Sequence, residues 1–343
     1  MGDEKKLTEQ IAISSGADVP TAPKVSVIIP AYNTAAFIGE SLDSVFAQTY
    51  TDFEVIVIND GSPDTAHLER VLVPYRSRIV YIVQKNRRAA GARNTGIHQA
   101  RGEFLAFLDS DDLWLPENLA AQMKMFKDDP SLDMVYADAA FFAGSTRPGR
   151  TYMEACPSKG PVTFDSLVVE STQVCISCAV ARKEIIVKAG SFDESLPQCD
   201  DYDMWLRVAY MHGKIAYQNV VLGKIRTGRV GSLGASNLKM IEAAVHILTK
   251  LERTLLLPPQ TRTLMRRRIA FYQAHYDKEM AKEYLAQRDY KKAAKQLTRA
   301  NRFFKSPKLA LGVLCLTVGP RLLAADSFGR LMDWLHSRGA YHD

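Results

Sequence analysis

No window of this 343-residue chain reaches the roughly 18 consecutive apolar residues of a membrane-spanning helix. The nearest, Leu309 to Val318, is too short and runs into Pro320 and Arg321. Neither G-x-G-x-x-G nor G-x-x-x-x-G-K-[ST] stands at a strand-to-helix turn, which argues against a dinucleotide dehydrogenase and a P-loop nucleotidase. The five cysteines are odd in number and scattered, which is no disulfide framework. Cys175 and Cys178 form a C-x-x-C, but QVCISCAV reads as a strand, where i and i+3 point to opposite faces, and no second pair lies at zinc-ligand spacing. The opening MGDEKKLTEQ lacks the basic and then apolar run of a signal peptide, so a cytoplasmic protein is expected.

What is present is ordinary in amount and uneven in placement. Hydrophobic residues make up 47% and charged residues 24%, the composition of a soluble globular chain long enough for one large domain or two. The net charge of +6 is segregated. Residues 1–235 hold 24 Lys and Arg against 29 Asp and Glu; residues 236–343 hold 20 against 9. A basic segment suits nucleic acid, anionic lipid or an acidic partner, and charge alone does not choose.

Residues 1–22 are polar and read as a disordered leader. From there to residue 235 apolar runs alternate with helical periodicity. Val25 to Ile29, Phe53 to Ile58, Ile79 to Val83 and Phe104 to Leu108 read as buried strands, each followed by a helix. Met134 to Phe142, Gln173 to Ala181 and Lys214 to Ile225 read as further strands, with a helix over Asp200 to His212. Such alternation predicts an α/β fold with a mostly parallel sheet flanked by helices, and ligands bind beyond the carboxyl ends of such strands. After residue 236 strand patterns stop. Leu238 to Leu257, Thr263 to Gln287, Tyr290 to Phe304, Pro307 to Val318 and Phe328 to His336 predict a C-terminal helical appendage, 236–343, basic and partly apolar.

The chemistry concentrates at one strand end. In EFLAFLDSDDLW an apolar run stops against Asp109, Asp111 and Asp112, and like charges this close repel unless a cation or donors sit among them. One carboxylate here could cap the next helix; three exceed that role and point to a hard divalent metal. Asp60 ends the second strand in NDGS, where an Asx turn with Gly61 is the structural alternative to ligand binding. QCDDYDMWLR places Asp200, Asp201 and Asp203 at a helix start, more acids than capping and the helix dipole require.

Taken together, VSVIIPAYN, NDGS, ARNTGI, FLDSDD and DDYDMWLR resemble family 2 glycosyltransferases over about Lys24 to Ser232. The resemblance implies a GT-A type, Rossmann-like fold over residues 23–235 and inverting transfer from a nucleotide-diphosphate sugar, typically UDP-linked, to a glycan or lipid-linked acceptor. It implies that Pro30, Ala31, Tyr32 and Asn33 line the nucleotide pocket, that Asp60 meets the base, and that Arg93 and Ser110 approach the donor. Asp109 and Asp111 match the D-x-D that holds Mg²⁺ or Mn²⁺ against the diphosphate, and Asp201 matches the general base. Asp200, Asp203, Trp205 and Arg207 stand in register as supporting residues.

The chain departs from the family at one place. Where many relatives carry a His after the strand ending at Arg226, it has Thr227, Gly228 and Arg229. Arg229 is expected to supply the missing positive charge, while Arg87 and Arg88 in NRRAAG are expected to meet diphosphate or an anionic acceptor. Transfer to a polyprenyl phosphate and non-catalytic binding of a nucleotide sugar or glycan are the alternative readings. No nucleic-acid partner is expected. The apolar and basic tail, with Leu309, Leu311, Val313, Leu314 and Leu316 beside Lys305 and Lys308, leaves two uses open: peripheral contact with the cytosolic membrane face, or packing on the protein, including a twin subunit in a homo-oligomer.

Overall fold

The computed structural model describes residues 11–143, 150–229 and 237–322. The chain divides into two compact units, residues 1–235 and 236–343.

The first unit is built on one nine-stranded sheet: β1 (Ala12–Ser15), β2 (Val25–Ala31), β3 (Phe53–Asp60), β4 (Ile79–Gln84), β5 (Phe104–Phe107), β6 (Leu113–Trp114), β7 (Met134–Phe142), β8 (Ala179–Arg182) and β9 (Ile215–Arg226). Their order is β1-β4-β3-β2-β5-β8-β7-β9-β6. β4, β3, β2 and β5 run parallel, and β7 runs parallel to β9. β1, β6 and β8 are antiparallel to their neighbours.

The central strands explain themselves. Val25, Val27, Ile28 and Ile29 of β2 and Val55 to Ile58 of β3 are fully buried, because helices cover both faces and the chain supplies β-branched residues to both. The helix Arg88–Gln99 lies close against them at Gly96, where a Cβ would stand 2.6 Å from Ile28 Cγ2 and 3.1 Å from Ile58 Cδ1. Only glycine permits that approach. β2 extends through Pro30, in register with Ile58, to Ala31, one turn of the pleat further than its β-branched run predicts.

Two expectations are corrected. Within the leader expected to be disordered over 1–22, residues 12–15 form β1, pairing with β4 from Ala12 opposite Val83 to Ser15 opposite Val80. All four β1 residues are exposed, so the strand is held by its ladder and carries no hydrophobic signature. The Cys175 and Cys178 segment is not a strand with opposed faces. A 3-10 turn, Ile176–Cys178, precedes a β8 of only four residues. Both thiols are buried, and the neighbouring Cys178 thiol together with burial pushes the Cys175 thiol well above its usual range. Cys175, Cys178, Cys199 and Cys315 take part in no disulfide.

The second unit is a run of helices, Asn237–Thr254, Pro259–Ala286, Tyr290–Phe304 and Pro307–Leu322, each packed on the next. Pro258 and Pro259 break the first from the second, and Asp289 caps the third by accepting from the Lys292 backbone N–H at 3.0 Å. Phe328 to His336 lies outside the described residues. Among the described residues no helix is long and apolar enough to cross a membrane.

Candidate active site

The carboxyl ends of β2, β3 and β5 open on the same side of the sheet, as parallel neighbours must, and the side chains there meet the start of the helix Asp200–Tyr210. At the centre is Arg93, on the helix Arg88–Gln99 and 5% exposed. Its Nη1 donates to Asp200 Oδ2 at 2.7 Å and its Nη2 to Asp109 Oδ1 at 2.7 Å. Burial works against this charge, yet Asp200, Asp109 and Asp201 hold the guanidinium above its usual range. One arginine therefore ties the acidic pair of Asp200 and Asp201 to the first carboxylate of the D-x-D.

Asp201, half-buried beside Asp200, has its carboxyl pushed up to about 6 by burial and by the Asp200 charge, with Arg93 opposing. Its Oδ1 accepts from the Tyr202 backbone N–H at 2.8 Å. Cys199, in the left-handed conformation at φ 59°, turns the chain into this helix. Asp203 and Arg207 brace the helix: Arg207 Nε donates to Asp203 Oδ2 at 2.7 Å, and Nη1 donates to the Ala189 carbonyl. Trp205 is buried against Phe107 and Phe192, with ring centroids 6.3 and 6.4 Å away. These three residues set where the acids stand, and they do so from within the fold.

The aspartates after β5 divide their work. Asp109 keeps 37% of its side chain exposed. Asp111 pairs with Arg229, Nε to Oδ2 at 2.9 Å; burial and then Asp109 push its carboxyl up, while Arg229 and Arg226 pull it down. Asp112 is internal: Oδ2 accepts from Ser177 Oγ at 2.6 Å and Oδ1 from the Arg226 backbone N–H at 2.8 Å. The Ser110 hydroxyl turns inward and donates to Thr34 Oγ1 at 2.9 Å, so this residue approaches a donor only through its backbone. Arg226, which the sequence reading passed over, donates from Nε to the Asp111 carbonyl at 2.9 Å and from Nη2 to Glu40 Oε2 at 2.6 Å, bracing the loop.

At the other end of the crevice Asp60 is buried, which pushes its carboxyl up against its hydrogen bonds. Gln84 Nε2 donates to its Oδ1 at 2.6 Å and the Arg87 backbone N–H at 2.8 Å. Gln84 ends β4, and the strand-end rule that singled out Asp60 would have found it. Ala31 is buried, Tyr32 is half exposed, and Asn33 adopts φ 53° with its N–H donated to Ser62 Oγ at 2.7 Å. Arg229 Nη1 donates to the Asn33 carbonyl at 3.2 Å, joining this end to the D-x-D. The Arg87 guanidinium, expected to meet a diphosphate or an anionic acceptor, is engaged by the Glu194 carboxylate, Nη2 to Oε1 at 2.7 Å. Arg88 is exposed.

Among the described residues no three His, Cys, Asp or Glu side chains converge as a closed metal cage. The open donor set still fits a hard cation, because Mg²⁺ and Mn²⁺ sites commonly take one or two carboxylates and complete the shell with substrate phosphates and water. Burial first, and then the neighbouring Asp109 charge, raises the Asp111 and Asp112 carboxyls, and the Asp109 share is the part that such an ion would relieve.

The fold and site define an α/β protein with an acidic crevice at the carboxyl ends of its parallel strands, and comparison gives it a family. The chain belongs to glycosyl transferase family 2, whose model matches residues 26–190. WfgD of Escherichia coli, a UDP-Glc:alpha-D-GlcNAc-diphosphoundecaprenol beta-1,3-glucosyltransferase, is 31% identical over 185 residues, 54% of this chain and 69% of that protein. Uncharacterized glycosyltransferases of Rickettsia are 30–32% identical, and the match covers 30% to 64% of their length. Among solved structures, TarS 1-349 of S. aureus in complex with UDP-GlcNAc superposes with a TM-score of 0.61 at 17% identity, covering 93% of each chain. The mannosyltransferase PcManGT of Pyrobaculum calidifontis, in complex with GDP-Man and Mn²⁺, gives 0.60 at 20% identity over 97% of this chain and 90% of that one. The expected GT-A fold is borne out.

Proposed function

We propose that this chain is an inverting glycosyltransferase, with residues 23–235 as its catalytic domain, that moves a sugar from a UDP-sugar to a hydroxyl of a glycan or lipid-linked acceptor. The observation that carries the reading is Asp201: a half-buried carboxyl with its pKa near 6, tied through Asp200 and Arg93 to the D-x-D. A base of that pKa is mostly ionised at neutral pH and still accepts a proton readily. The name of the E. coli relative supports both the UDP donor and the lipid-linked acceptor.

In this mechanism Asp60 receives the base of the nucleotide, with Gln84 fixing the carboxylate, and residues 30–33 line the pocket. Asp201 takes the proton of the acceptor hydroxyl as its oxygen bonds to C1 of the sugar from the face opposite the diphosphate. The C1–oxygen bond to the diphosphate breaks in the same displacement, and UDP leaves. Mg²⁺ or Mn²⁺ held by Asp109 and Asp111 would act as a Lewis acid on the departing diphosphate. Arg93 holds Asp109 and Asp200 in place, and Arg229 adds positive charge beside Asp111. The protein would work at the cytosolic face of a membrane.

Transfer and hydrolysis of a panel of UDP-sugars test this, with UDP binding followed by calorimetry. Asp201→Asn should lower turnover by about 10²–10⁴-fold while UDP affinity stays within about twofold. Wild-type turnover in that variant would remove Asp201 from the role. UDP binding with no turnover of any sugar by the native chain would mark a non-catalytic binder.

A further inference from the structure

We propose that the last two described helices form a docking face for an anionic lipid bilayer. Between Tyr290 and Leu322 the chain carries eight Lys and Arg and no acidic residue. In Tyr290–Phe304 the positions Ala293, Ala294 and Ala300 are buried, while Lys291, Lys295 and Arg302 are exposed. In Pro307–Leu322 the structure sorts the apolar residues. Leu316 is buried with Ala293 and Ala294, and Leu309 and Val313 are half-buried. Leu311, Leu314 and Val318 are exposed by 53%, 56% and 37%.

Those three residues recur at intervals of three and four, one stripe of a helix, and Lys308 opens the same stripe one turn earlier. Lys305, exposed in the left-handed cap between the helices, adds a second charge at its mouth. The set that faces outward is thus smaller than the tail's composition implies and of one chemistry, aliphatic and cationic. A bilayer interface takes both: the aliphatic side chains enter the acyl boundary while lysines reach the head groups. Anionic head groups match two helices that carry no carboxylate of their own; Lys292 and Arg299 are paired with Asp289 and Asp277 of the preceding segment, which leaves the stripe's Lys305 and Lys308 to meet them. A second copy of the chain would bring two such cationic faces together and repel. A nucleic acid would match the charge and leave the aliphatic stripe in water.

The inference deepens the lipid-linked acceptor reading. Its test uses the full chain without donor or acceptor, so failure to dock and failure to transfer are seen separately. Sedimentation with vesicles of phosphatidylcholine containing phosphatidylglycerol should show binding that phosphatidylcholine alone does not support, and that weakens at least about tenfold on raising salt to ~0.5 M. L311S/L314S should weaken it by about tenfold or more, and K305E/K308E should do so independently, since all four positions are on the surface. No binding at low salt, or undiminished binding by both double variants, overturns the proposal. So does a native dimer that L311S/L314S dissociates without changing vesicle binding, or a preference for single-stranded or duplex DNA over the anionic vesicles.

Discussion

Replacing Arg93 with Gln removes the one side chain that neutralises both halves of the site. In the native protein its two Nη atoms each stand 2.7 Å from a carboxylate, on Asp200 and on Asp109. Removing one partner of a buried ion pair costs about 3–5 kcal/mol, because the remaining charge is left desolvated. Asp200, with 7% of its side chain exposed, bears that cost nearly in full, whereas Asp109 at 37% can turn toward water and contributes little. The expected loss is therefore about 3 kcal/mol at pH 8, read from urea denaturation.

The same substitution moves a titration. Asp201 already holds its proton more tightly folded than unfolded, at about 6 against 3.8, so its share of stability is full below pH 3.8 and lost as pH rises through 6. Arg93 is the charge that opposes this rise. In Arg93→Gln the window should extend upward, so the stability deficit against wild type shrinks as pH is lowered from 8 to 5. The acidic limb of kcat/KM, with a midpoint near 6 in the native enzyme, should move up by about one pH unit. A variant within ~1 kcal/mol of wild type at pH 8, or one whose deficit grows toward pH 5, would refute the placement of Arg93 as the shared counter-ion.

Gly96→Ala should lower stability by about 1–3 kcal/mol, since its Cβ must push Ile28 and Ile58 out of the helix–sheet contact; an unchanged thermal midpoint would show that the helix backs away freely. Arg229→Ala removes the cation beside Asp111, so Mn²⁺ binding measured calorimetrically without nucleotide should tighten by about five- to tenfold; weaker binding would show that Arg229 shapes the metal ligands instead of competing with the ion.

The alternation of strand and helix was legible because β2 to β5 lie between helices and carry their burial as continuous apolar runs. β1 was not, since four exposed residues have no pattern to read and only the free edge of β4 selects them. The C-x-x-C misled for a related reason: an apolar run of mixed β-branched residues and cysteine is buried either way, and the 3-10 turn is decided by tertiary hydrogen bonds such as that of Asp112 to Ser177. In the site, charge and strand ends pointed to Asp60 and Asp109, and the family resemblance added Arg93 and singled out Asp201. They could not say that Ser110 bonds inward to Thr34, that Arg87 is engaged by Glu194 or that Asp112 locks β9 to the loop, because each depends on a partner 65 or more residues away.

Charge decides what this crevice can admit. Asp109, Asp111, Asp200 and Asp201 gather about two guanidinium groups, those of Arg93 and Arg229, while that of Arg226 is engaged by Glu40 and the Asp111 carbonyl. The imbalance is visible in the acids themselves: Asp111, Asp112 and Asp201 are all held above the ordinary carboxylate range, with burial first and a neighbouring aspartate next among the causes. Left so, the site would repel a diphosphate. On the function proposed above, a divalent cation at the exposed carboxylate of Asp109 would bring the local sum near zero and favour diphosphate entry, so nucleotide and ion should bind as one linked event. Arg229, reaching both Asp111 and the Asn33 carbonyl, stands where that linkage would pass from the D-x-D to the proposed nucleotide pocket.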